Sequence, residues 1–533
     1  MAGSTVLSTH LDSLTNSILD LTQIATPCRY RLVDCEQLII YNNLRILEFF
    51  EFPAVPYTTI SYVWHGNPFD DTKDEDLGAF TVKGAEDGDR IGIHVLRHMC
   101  RASLVQEAKF MWLDRLCIMQ TTREDKGWQM SQMFRIYKSC KACIILPSGI
   151  RGLAHLDEGT TWLHRGWTLQ EVMAPPRAFV LFAWVHGVGI FQNTNYPDVY
   201  EVERRKSAIA RVEVILQACR ARVRFTTRER KEVIDHVNAK LFGATRGDYA
   251  AVDALTGMME TSDPEEKAYS IWRSSFMRTS SRPVDMIFSI MGLFDVSLDP
   301  LAFQSHDRIG ATIALTQELL RKGYSASWLG ISFDLPPSKL LAFPEFPTTS
   351  VDGMAKVQIK NEWKKVTEVV DGMHWFKDAP KGRMDNDGYL IFSAKAAPLR
   401  QCTGREGKGI HLKAQDGSSW EVVTENLNRG KPQVSTETVK AIAVMVGRRV
   451  HYNHGWRSVY REIDPHTFSA LLIRDHEPGK FHIVSYIHGA DSLQKVFENW
   501  EDREFAVGGI EGTKVSVMDV RLTRFQTYIN AEQ

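Results

Sequence analysis

YTTISYVWHG (Tyr57–Gly66) alternates polar positions with apolar or aromatic ones and is rich in β-branched types, the composition of a strand. Working outward, three further apolar runs follow at helix-length intervals: KFMWLDRLCI (Lys109–Ile118), KACIILP (Lys141–Pro147) and AFVLFAW (Ala178–Trp184). Between the runs lie IGIHVLRHMCRAS (Ile91–Ser103), REDKGWQMSQMFRIYKSC (Arg123–Cys140) and RGWTLQEVM (Arg165–Met173), which read as helices; Met130, Met133, Phe134 and Tyr137 mark one side of the second. Pro175-Pro176 stops the third. Strands alternating with helices predict an α/β core built on a doubly wound parallel sheet. Residues 57–64, 110–118, 142–147 and 178–184 are its expected parallel neighbours.

Around this core the texture changes. Residues 1–50 form an N-terminal extension, in which Leu11, Leu14, Ile18, Leu21 and Ile24 predict a helix and LRILEFF (Leu44–Phe50) a strand. The core spans residues 51–195. Residues 196–340 read as helical, beginning with a charged stretch from Glu201 to Arg246 whose buried stripe is Val212, Ile215, Leu216, Cys219 and Val223. A segment rich in Pro and Phe at 334–348 reads as a linker. Residues 341–533 read as a β-rich C-terminal domain, with strands in DGYLIFSA, KAIAVMVG, FSALLIR and KFHIVSYIHG and a turn at DHEPGK.

Composition narrows the function classes. The chain has 533 residues, 64 basic against 65 acidic, and a net charge of −1, which argues against a dedicated nucleic-acid binder. With 44% hydrophobic and 24% charged residues, it has the composition of a folded globular protein. The N-terminus has neither a basic n-region nor an apolar h-region, and no run reaches 18 apolar residues, so a cytoplasmic protein without a membrane span is expected. Eight irregularly spaced cysteines suit a reducing compartment.

Generic motifs do not account for a chemistry. HExxH and GxSxG do not occur, and TGREGKG (Thr403–Gly409) is too short for a phosphate loop and lacks its Ser or Thr. Cys140 and Cys143 form one isolated CxxC, which cannot close a four-ligand zinc site, so no metal is expected. His94 with His98, and His451 with His454, lack a third ligand.

Three blocks together resemble the fungal heterokaryon-incompatibility (HET) domain: YTTISYVWHG, then WLDRLCIMQ (Trp112–Gln120) with QMSQMFRIY (Gln129–Tyr137), then RGWTLQE (Arg165–Glu171). Order and spacing agree, over about residues 50–190. TSSRPVDMIFSIMGLF (Thr279–Phe294) resembles the segment that commonly follows that domain. His65 before the glycine and Asp125-Lys126 in place of Glu-Arg depart from the pattern. The resemblance implies regulated cell death in fungal allorecognition or immunity, with self-association or a signalling partner. HET domains have been likened to Toll/interleukin receptor (TIR) domains, which implies a TIR/flavodoxin-like sheet. ISYVW and KACIILPSG resemble the TIR opening and its pre-catalytic loop. Trp167 and Glu171 reproduce the Trp-Cys-x-x-Glu spacing, with Thr168 at the cysteine position. In catalytic TIR domains that glutamate serves NAD cleavage, which marks Glu171 as the catalytic candidate, with NAD as substrate and no bound cofactor.

Breaking the bond between ribose and a cationic nicotinamide leaves an oxocarbenium-like sugar, which a nearby carboxylate stabilises. Trp64 and Trp167 then offer stacking surfaces and Arg165 a pyrophosphate contact, with Tyr62, Asp114, Gln120 and Gln170 around them. Each of these residues also has a plain structural reading: aromatic residues on strands pack, and Glu171 pairs with Arg165. Two other function classes stay open. One is a non-enzymatic signalling module; the other is a HET scaffold repurposed for small-molecule, secondary-metabolism chemistry.

Overall fold

The computed structural model describes residues 3–68, 78–192, 194, 198–221, 223–228, 232–237, 239–243, 246–338, 342–349, 353–370, 374–402, 410–423, 440–454, 460–462, 467–489 and 500–508. Residues 403–409, with the TGREGKG run, lie outside them, as do the side chains of His451 and His454. The chain divides into two compact units. One comprises residues 1–259, 277–308 and 349–354, the other 260–276, 309–348 and 355–533. The expected boundaries at 195/196 and 340/341 are not where these units divide.

The first unit is built on a mixed twelve-stranded sheet. Its strands are β1 (Ser4–His10), β2 (Tyr30–Asp34), β3 (Asn43–Phe49), β4 (Tyr57–Tyr62), β5 (Phe110–Trp112), β6 (Ala142–Leu146), β7 (Ala178–Ala183), β8 (Gly189–Phe191), β9 (Asp198–Glu203), β10 (Ser207–Arg211), β11 (Val223–Thr227) and β12 (Val233–Val237). They lie in the order β1-β3-β2-β5-β4-β6-β7-β10-β9-β8-β11-β12. The four strands expected to be parallel neighbours are so: β4 pairs with β5 and β6, and β6 with β7, all parallel. Every other pairing in the sheet is antiparallel. The sheet is therefore parallel only at its centre.

Burial explains that centre. Every residue of β6 is buried, as a strand covered on both faces requires. Alternate residues of β4 show the two layers. Thr58 Oγ1 lies 2.5 Å from Ser103 Oγ on α1 (Ile93–Val105). On the other face, the Tyr57 hydroxyl donates to the Ile136 carbonyl of α2 (Arg123–Ser139), and Ser61 reaches α3 (Trp167–Met173). Helices thus cover both faces of the parallel strands.

Three local expectations are corrected in this unit. The N-terminal apolar run is not one helix: β1 leads into a single turn at Leu11–Leu14, and Asn16 at φ 59° leaves the helical path. Leu11, Leu14 and Leu21 are buried, whereas Ile18 and Ile24 are exposed. The strand in KFMWLDRLCI stops at Trp112, because Asp114–Cys117 forms a helical turn whose Asp114 Oδ1 accepts from the Arg115 amide at 2.6 Å. Among the described residues between Glu201 and Gly243, only α4 (Val212–Arg220) is helical, and it buries Val212, Ile215, Leu216 and Cys219. Flanking it, β9–β12 extend the sheet; Glu201, Glu203 and Arg211 are half-exposed and Arg224 is exposed. Helix resumes at Arg246–Glu260 and, after residues of the second unit, at α5 (Asp285–Met291).

The second unit carries a ten-stranded sheet, antiparallel except where Lys480–Gly489 meets Glu501–Val507. The predicted strands appear at Leu390–Gln401, Ala441–His454, Thr467–Glu477 and Lys480–Gly489, with the last two joined by the expected turn. The strand Leu390–Gln401 pairs with Glu501–Val507 through Leu390–Ala396 and with Ala441–His454 through Ala396–Leu399, so five strands close into a ring around Leu399, Ala443, Leu472 and Ile487. The Pro- and Phe-rich stretch is not an open linker. Phe343 is fully buried against Trp328, whose indole N–H donates to the Ala342 carbonyl at 3.0 Å. Among the described residues, no helix is long and apolar enough to cross a membrane.

Candidate active site

The loops that leave the carboxyl ends of β4 and β5, together with α2 and α3, converge on a cleft of about 370 Å³ in the first unit. In parallel α/β sheets ligands bind at this end of the strands, and the volume lies within the range of about 300–1,000 Å³ usual for small-molecule pockets. Tyr62, Trp64, Asp114, Gln120, Arg165, Trp167 and Glu171 all line it. Gln170 does not: it is 1% exposed, packed beneath α3. It is turned by about 100° around the helix from Glu171.

Glu171 forms the apolar-backed floor. Its Oε2 accepts from Ser61 Oγ at 2.5 Å, and Ser61 Oγ accepts in turn from the Trp162 indole at 2.9 Å. Burial pushes the Glu171 carboxyl up to about 8; the Ser61 hydrogen bond opposes this, the Asp114 charge adds to it, and the Arg165 charge opposes it. Asp114 follows β5 and accepts from the Tyr62 hydroxyl at 2.6 Å. Burial raises its carboxyl too, against that hydrogen bond and the Arg115 charge. The Asp114 charge thus disfavours ionisation of the buried Glu171 carboxyl.

Cationic groups frame these acids. Arg115 is fully buried, lies 3.9 Å from the Trp64 ring centroid and donates to the Asp89 carbonyl, which fixes the indole at the cleft wall. Arg165 is held below its usual value by burial, with the Glu171 and Asp285 charges acting the other way. Arg278 lies beneath, donating to the Arg165 carbonyl at 3.1 Å and to Thr168 Oγ1 at 2.9 Å, so it sets the start of α3. Burial pushes the Arg278 guanidinium down to about 9.

Sequence reading missed one wall entirely. Ser280, Ser281, Arg282 and Asp285 line the cleft from the segment entering α5, and Lys126 and Tyr137 from α2. The signal was present in Thr279–Phe294 as a recognisable block, but nothing in it located the residues beside Glu171. Gly166 donates its amide to the Thr279 carbonyl at 2.8 Å, which ties the two segments together. The Asp125-Lys126 departure also gains a reason. Asp125 is fully buried, accepts from the Met119 amide at 2.8 Å and pairs with buried Arg31 at 3.2 Å, anchoring the start of α2. Lys126 is thereby held at the rim.

The remaining pairs stand apart. Cys140 donates to the Tyr137 carbonyl at 3.1 Å and Cys143 is buried in β6, so both thiols pack. His98 Nδ1 lies 2.9 Å from buried Ser207 Oγ. No group of three or more His, Cys, Asp or Glu among the described residues is placed to hold a metal ion.

Residues 57–152 match the model of the family described as heterokaryon incompatibility protein (HET). Among curated proteins, vegetative incompatibility protein HET-E-1 of Podospora anserina is 23% identical over 130 residues, 22% of this chain and 9% of that protein. The chain thus matches only a small part of that relative's length. No solved structure matches.

Proposed function

We propose, from the premise that this chain carries a HET domain, that it is a cytoplasmic effector of incompatibility-type cell death whose cleft cleaves NAD at the nicotinamide–ribose bond. The observation that carries the reading is the convergence of Glu171, Asp114, Arg165, Trp64 and Trp167 on one cleft at the carboxyl ends of parallel strands. The strand order adds support: β5-β4-β6-β7 is second, first, third, fourth in the chain, the order of flavodoxin-like sheets. That order is compatible with the TIR-like role proposed for Glu171.

In the reaction the C1′–N1 bond breaks, its electron pair neutralises the pyridinium, and positive charge passes to the ribose. Glu171 as carboxylate stabilises that charge, and water adds at C1′ with loss of a proton. Burial favours a protonated Glu171, and the positive charge of a nicotinamide beside it would favour its ionisation. Trp64 and Trp167 supply flat faces for the rings. Incubating the purified chain with NAD is expected to release nicotinamide, and Glu171→Gln to lower turnover by 10²-fold or more, about 3 kcal/mol. Absence of release by the wild type, or equal release by Glu171→Gln, overturns the reading.

One observation favours the non-enzymatic alternative. Glu171 is already satisfied by Ser61 and backed by Trp162, as a structural carboxyl would be. Equal killing by wild type and Glu171→Gln at matched protein levels, with cellular NAD unchanged, selects a signalling module instead.

A further inference from the structure

Two cations stand at the rim of this cleft in no direct ion pair among the described residues, Lys126 feeling the Asp87 charge and Arg282 the Asp285 charge only through space. Lys126 is half-buried on α2, and Arg282 is exposed just before α5. Neither side chain has an ion pair or hydrogen bond among the described residues, whereas Arg31, Arg45, Lys83 and Arg101 of the same unit are all paired. Burial and the Arg282 charge hold the Lys126 ammonium below its usual value, with Asp87 opposing. Like charges brought to one mouth repel unless an anion joins them. Arg165, deeper in the cleft, already lies in the field of two acids, Glu171 and Asp285, so the rim pair is the better placed for a phosphate.

A second observation points to the same ligand from the opposite polarity. Asp285 is 8% exposed and lines the cleft, yet its Oδ1 is buried with no hydrogen-bond partner. Trp167 and Ser280 engage the carboxyl, leaving the other lone pairs unmet. A buried acceptor without a donor is costly, and such groups in native proteins usually have a partner. A ligand hydroxyl would supply it.

We propose that Lys126 and Arg282 clamp a phosphate at the rim and that Asp285 takes a ribose hydroxyl, so that the ligand class is a phosphorylated ribonucleoside. This rests on the reading of the cleft as a nucleotide site and moves the phosphate contact from Arg165 to the α2 and α5 wall. The polarity fits: cations lie outermost, where a phosphate stays partly solvated, and the acceptor lies inside.

The test is binding of ADP-ribose and of adenosine to the full chain by calorimetry. Each lost charge-assisted contact is expected to weaken ADP-ribose about tenfold. Lys126→Gln/Arg282→Gln should therefore weaken ADP-ribose about a hundredfold, flatten its salt dependence and leave adenosine unchanged. Asp285→Asn should weaken both ligands about tenfold. Arg282→Gln alone, at an exposed position, serves if the double variant does not melt cooperatively. Equal ADP-ribose affinity in wild type and Arg282→Gln, or no ADP-ribose binding by the wild type, overturns the clamp. Phosphate-dependent binding without nicotinamide release from NAD upholds the clamp and removes the glycohydrolase reading. Glu171-dependent release with an unchanged KM in the double variant does the reverse.

Discussion

Glu171 is where stability and chemistry pull in opposite directions. Its carboxyl is pushed from 4.5 up to about 8 by burial. Between these values the folded chain keeps a proton that the unfolded chain releases, so stability falls as pH rises, by about 1.4 kcal/mol per unit, and levels off above about 8. Glu171→Gln removes that slope. Thermal melts from pH 4 to 8.5 are expected to coincide near pH 4 and to show the variant melting higher by pH 8; parallel curves would deny the burial cost. In the proposed reaction the ionised form is the active one, so kcat/KM for NAD should climb toward pH 8 in the wild type. At this scale much of the site was legible, because the strand-end and RGWTLQE positions are the ones a parallel sheet brings together. Gln170 was misplaced by one helical step. Lys126, Arg282 and Asp285 were missed because an isolated charge in a sequence says nothing about which cleft it faces.

Close backbone approach decides how the elements deliver those residues. The loop after β4 lies on the loop after β6: the Asn67 amide donates to the Ser148 carbonyl at 3.0 Å, and Gly66 donates to Asp89 Oδ2 at 2.6 Å. A Cβ on Gly66 would sit 1.7 Å from the Ser148 oxygen, which is backbone and cannot rotate away. Gly66→Ala is expected to cost about 1–3 kcal/mol or more and to displace the neighbouring Trp64. Urea unfolding should show a lower midpoint at unchanged slope. Gly159→Ala, which meets nothing within 4 Å, should stay within about 0.5 kcal/mol of wild type. An unshifted Gly66→Ala midpoint would mean that the loops separate without penalty. The parallel strands were readable because β6 and β7 are continuous apolar runs. The strands at β9–β12 were not. Their alternation is diluted by Glu201, Glu203 and the arginines around them, and the pairings of β7 with β10 and of β8 with β11, which skip intervening strands, override local helix spacing. The N-terminal run failed likewise, since Leu11, Leu14 and Leu21 are buried from a turn and irregular chain rather than from one helix face.

At the scale of the molecule, the chain does not divide at one point. The helix Pro264–Phe276 belongs to the second unit, although residues 277–308, which include Arg278, Arg282 and Asp285, belong to the first. Within the second unit, the Tyr269 hydroxyl lies 2.6 Å from His374 Nε2, and Arg273 donates to the His374 carbonyl at 2.5 Å. Trp272 and Trp328 are buried with ring centroids 5.9 Å apart. A chain ended at residue 340, the boundary suggested by the change of texture, keeps Tyr269 and Arg273 but loses His374 and the sheet that carries it. Arg273, 1% exposed in the whole protein, would lose its buried carbonyl partner, and the helix its apolar cover. The segment bearing Arg282 and Asp285 would then run between two stretches of chain, 260–276 and 309–340, that no longer have a core to fold into. Expression of residues 1–340 is therefore expected to give aggregated protein, or a soluble one with a broadened melt and ADP-ribose binding lost. A monomer that melts cooperatively and binds ADP-ribose as the full chain does would show that the site is built without residues 341–533.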